Sequence, residues 1–376
     1  MKILHLIYDH PQNPWLGGGG AKGTLAIAQY MEQNGHTTTI ICGKFKSDDP
    51  LLQTGHIQYK KVGWGINYLI SRISYTIGSF LYVWRNLKKY NLIVDDTSPF
   101  SPTFSFLFSQ RVPVIATIRN VFGSHVLKKG IITGIPAFIS EFMILRAYSC
   151  YIVVSPYMKD SIPRRKTCEI IPNGINFAEI PSHLPAKKSY IAFLGRIEIY
   201  QKGLDIALRA LGDLKQLLQR NDIICKFAGS GKDSNKFQSL IKEQELTHVC
   251  EYIGRLEGED KYLFLAQALF IIAPSRFEAM PRVPLEAQAC GTPVIASSIP
   301  SFKYVIKADE SGILIKPEST DELKNAIINL IENTEKRMLY SNGALEHSKL
   351  FDRDVFMKQR LELYTKISQQ KANKNN

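Results

Sequence analysis

The sequence predicts a parallel, doubly wound α/β fold used twice in series. Three observations predict it. Short apolar runs of strand length alternate with stretches of helical periodicity along most of the chain, the pattern of a parallel sheet covered by helices on both faces. The order of strand, glycine-containing turn and helix begins at residue 3 and begins again at residue 190. Finally, 376 residues are more than one hydrophobic core usually organises.

The first domain is expected over 1–180. It opens with a strand at 3–8, then a loop holding Gly17, Gly18, Gly19 and Gly20, then a helix over 21–33 that Gly35 and His36 end. Glycines before a helix let the backbone approach a ligand closely, although their spacing is not that of a dinucleotide fingerprint. Further strands are expected at 38–42, 92–95, 112–117, 151–154 and 169–171. Pro172, Asn173 and Gly174 form a turn, and the polar, Pro-containing stretch 181–189 reads as the linker.

The second domain is expected over 190–350, with strands at 190–194, 223–228, 249–253, 269–273 and 293–297. Gly195, Arg196, Lys202 and Gly203 lie between its first strand and a helix running to about 218. That junction is where doubly wound folds place ligands. After 320 the pattern is helical, with Leu323, Ile327, Ile328 and Leu330 on one side. The last piece, 351–376, is an amphipathic helix over about 353–367, placed to return to the first domain or to pack on the second, with a disordered tail from 371.

Charge and composition narrow the function classes. The net charge is 47 − 34 = +13, divided as 19 − 10 = +9 over 1–180 and 28 − 24 = +4 over the rest. A basic first half suits a phosphorylated acceptor or an anionic membrane; no finger, RNP or KH signature supports nucleic acid. The six cysteines form no CxxC pair, so reduced thiols in a cytosolic protein are expected. The chain opens straight into a strand pattern, so no secretory leader is expected, and the best spanning candidate, 63–84, carries Asn67, Arg72 and several Ser and Thr residues, so no membrane-spanning helix is expected. The stretch 63–90 interleaves Trp64, Tyr68, Tyr75, Phe80, Tyr82 and Trp84 with Arg72, Arg85, Lys88 and Lys89. It is either a peripheral membrane contact or helix packed on the first sheet. No DxD triplet occurs, and the doublets Asp48–Asp49 and Asp95–Asp96 lack a third ligand nearby, so no catalytic metal is expected.

Two carboxylates eight positions apart, Glu278 and Glu286, carry the sharpest chemical signal. A strand ending near 273, a Pro- and Arg-containing turn and a helix from about 284 would set Glu278 in the turn and Glu286 in the helix's first turn. Carboxylates there accept hydrogen bonds from sugar hydroxyls, while N–H groups at a helix start attract phosphate.

With the flanks Pro274, Ser275, Cys290, Gly291, Thr292 and Pro293, this segment resembles the retaining glycosyltransferases of family 4. The resemblance implies the GT-B fold, two Rossmann-like domains facing a central cleft. It implies a UDP- or GDP-sugar donor and a saccharide or lipid-linked acceptor, in cell-surface polysaccharide or glycolipid synthesis on the cytoplasmic side. It further implies that Arg196 and Lys202 neutralise the departing diphosphate, that Glu278 positions the donor sugar and that Glu286 holds the ribose. Gly19, Gly20, Gly195, Gly229, Met280, Pro281, Arg282 and Leu285 would line the donor, with Ile253 and Arg255 at the base. Two departures stand out. Arg119 and Asn120 occupy the place where a histidine is usual, so Arg119 is a contact for an acidic sugar or acceptor phosphate, or a surface charge; Asn120 and Asn173 are further candidate contacts. Ala279 replaces a common glycine. A nucleotide-sugar epimerase or phosphorylase of the same fold, or a binding protein with a decayed site, are the competing readings.

Overall fold

The computed structural model describes residues 1–15, 18–46, 55–187 and 190–375, with the side chains of 125, 128, 129, 132 and 372–375 outside that description. Gly17 and the doublet Asp48–Asp49 therefore lie outside the described residues. Two compact units are present: residues 1–173 with 356–376, and residues 174–355.

The first unit is built on seven strands: β1 (Lys2–Leu6), β2 (Thr37–Gly43), β3 (Ile57–Val62), β4 (Leu92–Asp96), β5 (Val114–Ile118), β6 (Cys150–Val153) and β7 (Thr167–Ile170). They pair in the order β3-β2-β1-β4-β5-β6-β7, all parallel. The second unit holds β8 (Tyr190–Leu194), β9 (Ile224–Ala228), β10 (Cys250–Gly254), β11 (Phe270–Ala273), β12 (Val294–Ser297) and β13 (Gly312–Ile315). Their order is β10-β9-β8-β11-β12-β13, again all parallel. The central strands are apolar on both faces because helices cover both sides. Strand order reverses at β1/β4 in one sheet and at β8/β11 in the other, which opens a crevice beyond the carboxyl ends of those strands.

Several expectations need correction. The strands β3 and β13 were not expected. The first is an edge strand whose residues Ile57 and Tyr59 are buried while Gln58 and Lys60 are exposed, too little apolar run to read as a buried strand. The second is four residues beginning with Gly312, whose missing Cβ lets the strand lie against the backbone of Val294. The helix α1 (Gly19–Gln33) begins inside the glycine run rather than after it.

The stretch 63–90 forms the helix α2 (Tyr68–Asn86) and a short 3-10 turn, Leu87–Lys89. Asn67 caps α2 by accepting from the Ile70 N–H at 2.9 Å. After β5 a 3-10 stretch, Gly123–Lys129, leads into α3 (Ile131–Ala147).

The contact boundary after Asn173 leaves 181–189, read as the linker, inside the second unit, with 188 and 189 outside the described residues. The C-terminal helix Arg353–Asn375 lays Met357, Leu363 and Tyr364 against Ile3, Leu92, Val94, Ile115 and Ile152 and against Ile27 and Met31 of α1. It runs on through 371–375, where a disordered tail was expected; a helix of this length anchored by its apolar face carries its last turns with it.

Candidate active site

In the second unit the crevice at the β8/β11 reversal is formed by two loops that are sewn together. From β8 the chain continues through Gly195, Arg196 and a single helical turn, Ile199–Lys202. From β11 it continues through Pro274 to Glu278. The Arg276 N–H donates to the Gln201 carbonyl at 2.9 Å, and its guanidinium grips Asp205 through two bonds of 2.8 and 2.9 Å and the Tyr200 carbonyl at 2.8 Å. This fork-on-carboxylate pairing fixes orientation as well as distance. Burial alone would raise the Asp205 pKa, but Arg276 outweighs it and holds the carboxyl below its ordinary value.

The clamp brings Lys202 and Glu278, 76 residues apart, into a direct Nζ–Oε1 contact, and the Ser275 hydroxyl donates to the same oxygen at 3.1 Å. Both side chains are mostly buried, at 16% and 13% exposure. Arg196 is not part of this cluster: its side chain is 60% exposed and pairs at 3.6 Å with Glu198 on its own loop. Gly203, at φ +63°, ends the single turn where a Cβ would run into the Pro274 carbonyl, so the two loops could not approach this closely with any side chain there.

Gly195 and Gly229 meet backbone to backbone. Gly229 has φ +137° and a Cβ there would overlap the Gly195 carbonyl, while the Gly229 N–H donates to the Gly254 carbonyl at 2.7 Å. Three strand ends, β8, β9 and β10, are thus pulled into one shelf, and Ile253 stands half-buried on its β10 side. Arg255 is exposed and pairs with Glu257 at 2.6 Å.

Glu286 needs a correction of position. The helix Arg282–Ala289 starts two residues earlier than expected, so Glu286 lies in its second turn. Its Oε1 receives Lys261 at 3.1 Å and Arg282 at 3.5 Å, and its side chain is 7% exposed. Nor is the helix start a full cradle of N–H groups. The cap residue is Pro281 and the third helical position is Pro284, so of the four leading positions only Arg282 and Val283 carry an N–H. Met280 and Leu285 are buried, and Leu285 points into the core.

In the first unit the crevice at β1/β4 is lined by the start of α1, where the Gly18 N–H donates to Asp9 at 3.0 Å. Gly19 and Gly20 are the first helical residues, and the aliphatic part of Arg119 lies 3.9 Å from where a Gly20 Cβ would stand.

Arg119 is not a solvated surface charge: its side chain is 18% exposed and held in a network. Its guanidinium donates to Asp96 through two nitrogens at 2.9 Å, to the Thr24 hydroxyl at 3.0 Å and to Asn173 at 3.3 Å, with Thr24 donating in turn to Asp96 at 2.7 Å. Burial would raise the Asp96 pKa; Arg119 first and His5 next outweigh it and keep the carboxyl well below the usual carboxylate range. Asn120 is half-buried beside it in sequence. The doublet Asp95–Asp96 splits across the sheet, as alternate residues of a strand must. Asp95 receives hydroxyls from Thr103, Ser105 (2.6 Å) and Tyr148 (2.5 Å), and burial raises its pKa. The two carboxylates could not share one cation. Among the described residues no group of three or more His, Cys, Asp or Glu is arranged to hold a metal ion.

Sequence reasoning missed three partners: Lys261 for Glu286, the Arg276–Asp205 clamp, and Asp96 for Arg119. Only Ser275 and Arg276 carried any signal, through their place beside the carboxylate segment.

Comparison with known proteins identifies the family and the fold. The family description "Glycosyltransferase Family 4" matches residues 17–179 and "Glycosyl transferases group 1" matches residues 176–347. An uncharacterised glycosyltransferase of Methanocaldococcus jannaschii is 25% identical over 356 residues, 86% of this chain and 87% of its own length. A second from that organism is 28% identical, covering 53% of this chain and 54% of its own length, so the match spans about half of that relative. The phosphatidyl-myo-inositol mannosyltransferase of Mycolicibacterium smegmatis is 27% identical over 53% of this chain and 52% of its own. Among solved structures, sucrose-phosphate synthase from Thermosynechococcus elongatus superposes with a TM-score of 0.82 at 19% identity, covering 97% of this chain and 98% of its own. The Anabaena protein HepE in complex with UDP and glucose gives a TM-score of 0.76 at 18% identity, covering 97% and 100%. Both likenesses are of fold. With adjoining family matches over both halves and two parallel Rossmann-like sheets, this chain belongs to the group 1, family 4 glycosyltransferases of GT-B fold.

Proposed function

We propose that this protein is a retaining glycosyltransferase that moves a sugar from a nucleotide-sugar donor to a hydroxyl of a saccharide or lipid-linked acceptor in cell-surface polysaccharide or glycolipid synthesis. The observation that carries the reading is the Lys202–Glu278–Ser275 cluster at the β8/β11 reversal of the second sheet. A cation there meets the charge that develops on a departing diphosphate, and a carboxylate beside it accepts hydrogen bonds from donor-sugar hydroxyls. Arg196, exposed on the adjacent loop, adds a second cation. Glu286 holds the ribose through Oε2, since Oε1 takes both of its cations. UDP in the HepE complex and the lipid named in the mannosyltransferase relative support a UDP-type donor and a lipid-linked acceptor. The acceptor hydroxyl is the nucleophile and the donor phosphate receives its proton. A panel of UDP- and GDP-sugars, offered with and without lipid-linked acceptors and read by mass spectrometry, tests the reading. A donor converted to a new nucleotide-sugar without acceptor would instead mark an epimerase.

The reaction is proposed to need no divalent metal. Full turnover is expected after EDTA treatment; loss of turnover restored by magnesium or manganese would sink this part.

The enzyme is proposed to act at the cytoplasmic face of an anionic membrane, consistent with six unpaired cysteines. No described helix is long and apolar enough to cross a membrane; the contact is proposed to be peripheral, through 63–90. Each cation near such a surface contributes about 1 kcal/mol, screened by salt. Neutralising Arg85, Lys88 and Lys89 together is expected to weaken binding to anionic vesicles roughly a hundredfold and leave donor hydrolysis in solution unchanged. Collapse of the soluble activity with vesicle binding intact would place the segment in the folded core.

A further inference from the structure

The helices α2 and α3 are apolar on the wrong side. In α2 the buried face is Ser71, Ser74, Tyr75, Ser79 and Val83, while Leu69, Ile73, Ile77, Leu81 and Trp84 face outward at successive turns. The orientation is held firmly. Ser71 donates to the Lys44 carbonyl at 2.6 Å, Ser74 to Ile70 at 2.7 Å and Ser79 to Thr76 at 3.1 Å, so the small polar face is satisfied inside. Gly78 presses on Val62 and Gly63, where even a Cβ would be tight. In α3 the buried side holds Ala137, Glu141, Ile144 and Leu145, with Glu141 accepting the N–H groups of Phe122 and Gly123 at 2.8 and 2.7 Å. Ile131, Ile135, Phe138, Ile139, Phe142 and Met143 face outward.

The two stripes lie on one face of the first sheet. Leu92 and Val94 of β4 face α1 and the C-terminal helix. Asp95, pointing the other way, meets the Tyr148 that follows α3 and lies near Tyr75 of α2. Between the helices the short turn Ser105–Phe108 exposes Leu107 at 60%, touching α2 through Phe108 against Phe80 and reaching Tyr148 through Phe106.

Charge selects the occupant. Residues 51–159 carry twelve Lys and Arg and three acids, Asp95, Asp96 and Glu141, and all three acids are buried. The exposed face therefore combines apolar stripes with cations, including Arg85, Lys88, Lys89 and Arg146, and residues 51–159 add no exposed acid to it. A second copy would bring like charges together across a self-complementary interface. An anionic bilayer meets both the apolar and the cationic parts, with Trp64 and Trp84 suited to its interface.

We propose that α2 and α3 together form one seat that lies flat in the interface of an anionic lipid bilayer, with α3 as its inserted element. This rests on the membrane contact proposed above for 63–90. It adds that attraction by the basic end of α2 is followed by burial of α3, which salt does not screen.

The test uses the full chain with phosphatidylcholine vesicles containing about one third phosphatidylglycerol, at low salt and at high salt, compared with the triple substitution Ile135→Asn, Phe138→Asn and Phe142→Asn. These side chains are 44%, 40% and 54% exposed, so the fold should survive with a modestly lowered but still cooperative thermal transition. The wild type is expected to bind more weakly at high salt but to keep a measurable, salt-resistant part of its binding. The triple variant should bind at least about tenfold more weakly there. Vesicles should slow amide exchange over 131–147 in the unaltered chain. Absence of any vesicle binding would overturn the membrane reading itself. Wild-type-like binding by the variant, with no slowing over 131–147, would overturn only the role of α3. A lipid-free dimer protected over 131–147 would assign the face to a second copy and overturn the proposal.

Discussion

Replacing Lys202 by alanine is expected to lower turnover by roughly 10²-fold or more, the scale of losing a major electrostatic contact with developing charge. The position of Lys202 is set by backbone, not by its own flexibility. The residue ends a single helical turn, Gly203 permits the close approach to Pro274, and the Arg276 clamp holds the opposite loop. The substitution also removes the cation paired with Glu278, so part of any loss could come from a shifted carboxylate. Two further readouts separate these effects. The donor KM should change less than kcat if Lys202 acts on the leaving group. Lys202→Arg should recover only part of the turnover, because a planar fork does not replace a point charge in a site of this shape. Turnover within threefold of wild type would remove Lys202 from the mechanism.

Arg119→Ala is expected to destabilise the first unit by about 3–5 kcal/mol, the scale of leaving one partner of a buried ion pair uncompensated. The Asp96 side chain is 2% exposed and Arg119 18%, so solvent screens the pair little. For a unit of this size that is a fall in Tm of roughly 6–20 °C. The dependence on pH has a definite sign. The folded-state pKa of Asp96 lies below its unfolded value. The stability from this pair is therefore fully present above about pH 4 and is lost as pH falls toward the folded pKa. The gap between wild type and variant should accordingly narrow on acidification. Replacing both partners, Asp96→Asn with Arg119→Gln, should cost less than Arg119→Ala alone. An unchanged Tm together with a raised acceptor KM would make Arg119 a substrate contact and overturn the structural assignment.

What the sequence by itself determined is whatever depends on near neighbours. The apolar runs of most strands, the helical periods and the restart of the pattern at 190 are local signals, because burial on both faces of a strand or one side of a helix shows within a few residues. The carboxylate segment 278–286 with its flanks carried the family in the same way. Where the local signal was thin it failed: at the half-exposed edge strand β3 and the four-residue β13.

Only the tertiary structure decided which charges meet. Lys202 reaches Glu278 because β8 and β11 are neighbours at a reversal of strand order, and Glu286 meets Lys261 because the helices Arg282–Ala289 and Gly258–Gln267 pack side by side. No spacing along the chain encodes either. Arg119 meets Asp96 on the adjacent strand and Thr24 on α1, neither of them near it in sequence. The facing of α2 is the clearest case. Periodicity defines an apolar stripe and an opposite face of serine, glycine and tyrosine, and the usual rule would turn the stripe inward. The small residues allow α2 to sit close against Val62 and Gly63 with its hydroxyls bonded, and that fit leaves Leu69, Ile73 and Ile77 outside. Which face of a helix is buried is settled by the shape of what it packs on, and that shape exists only once the sheet has formed.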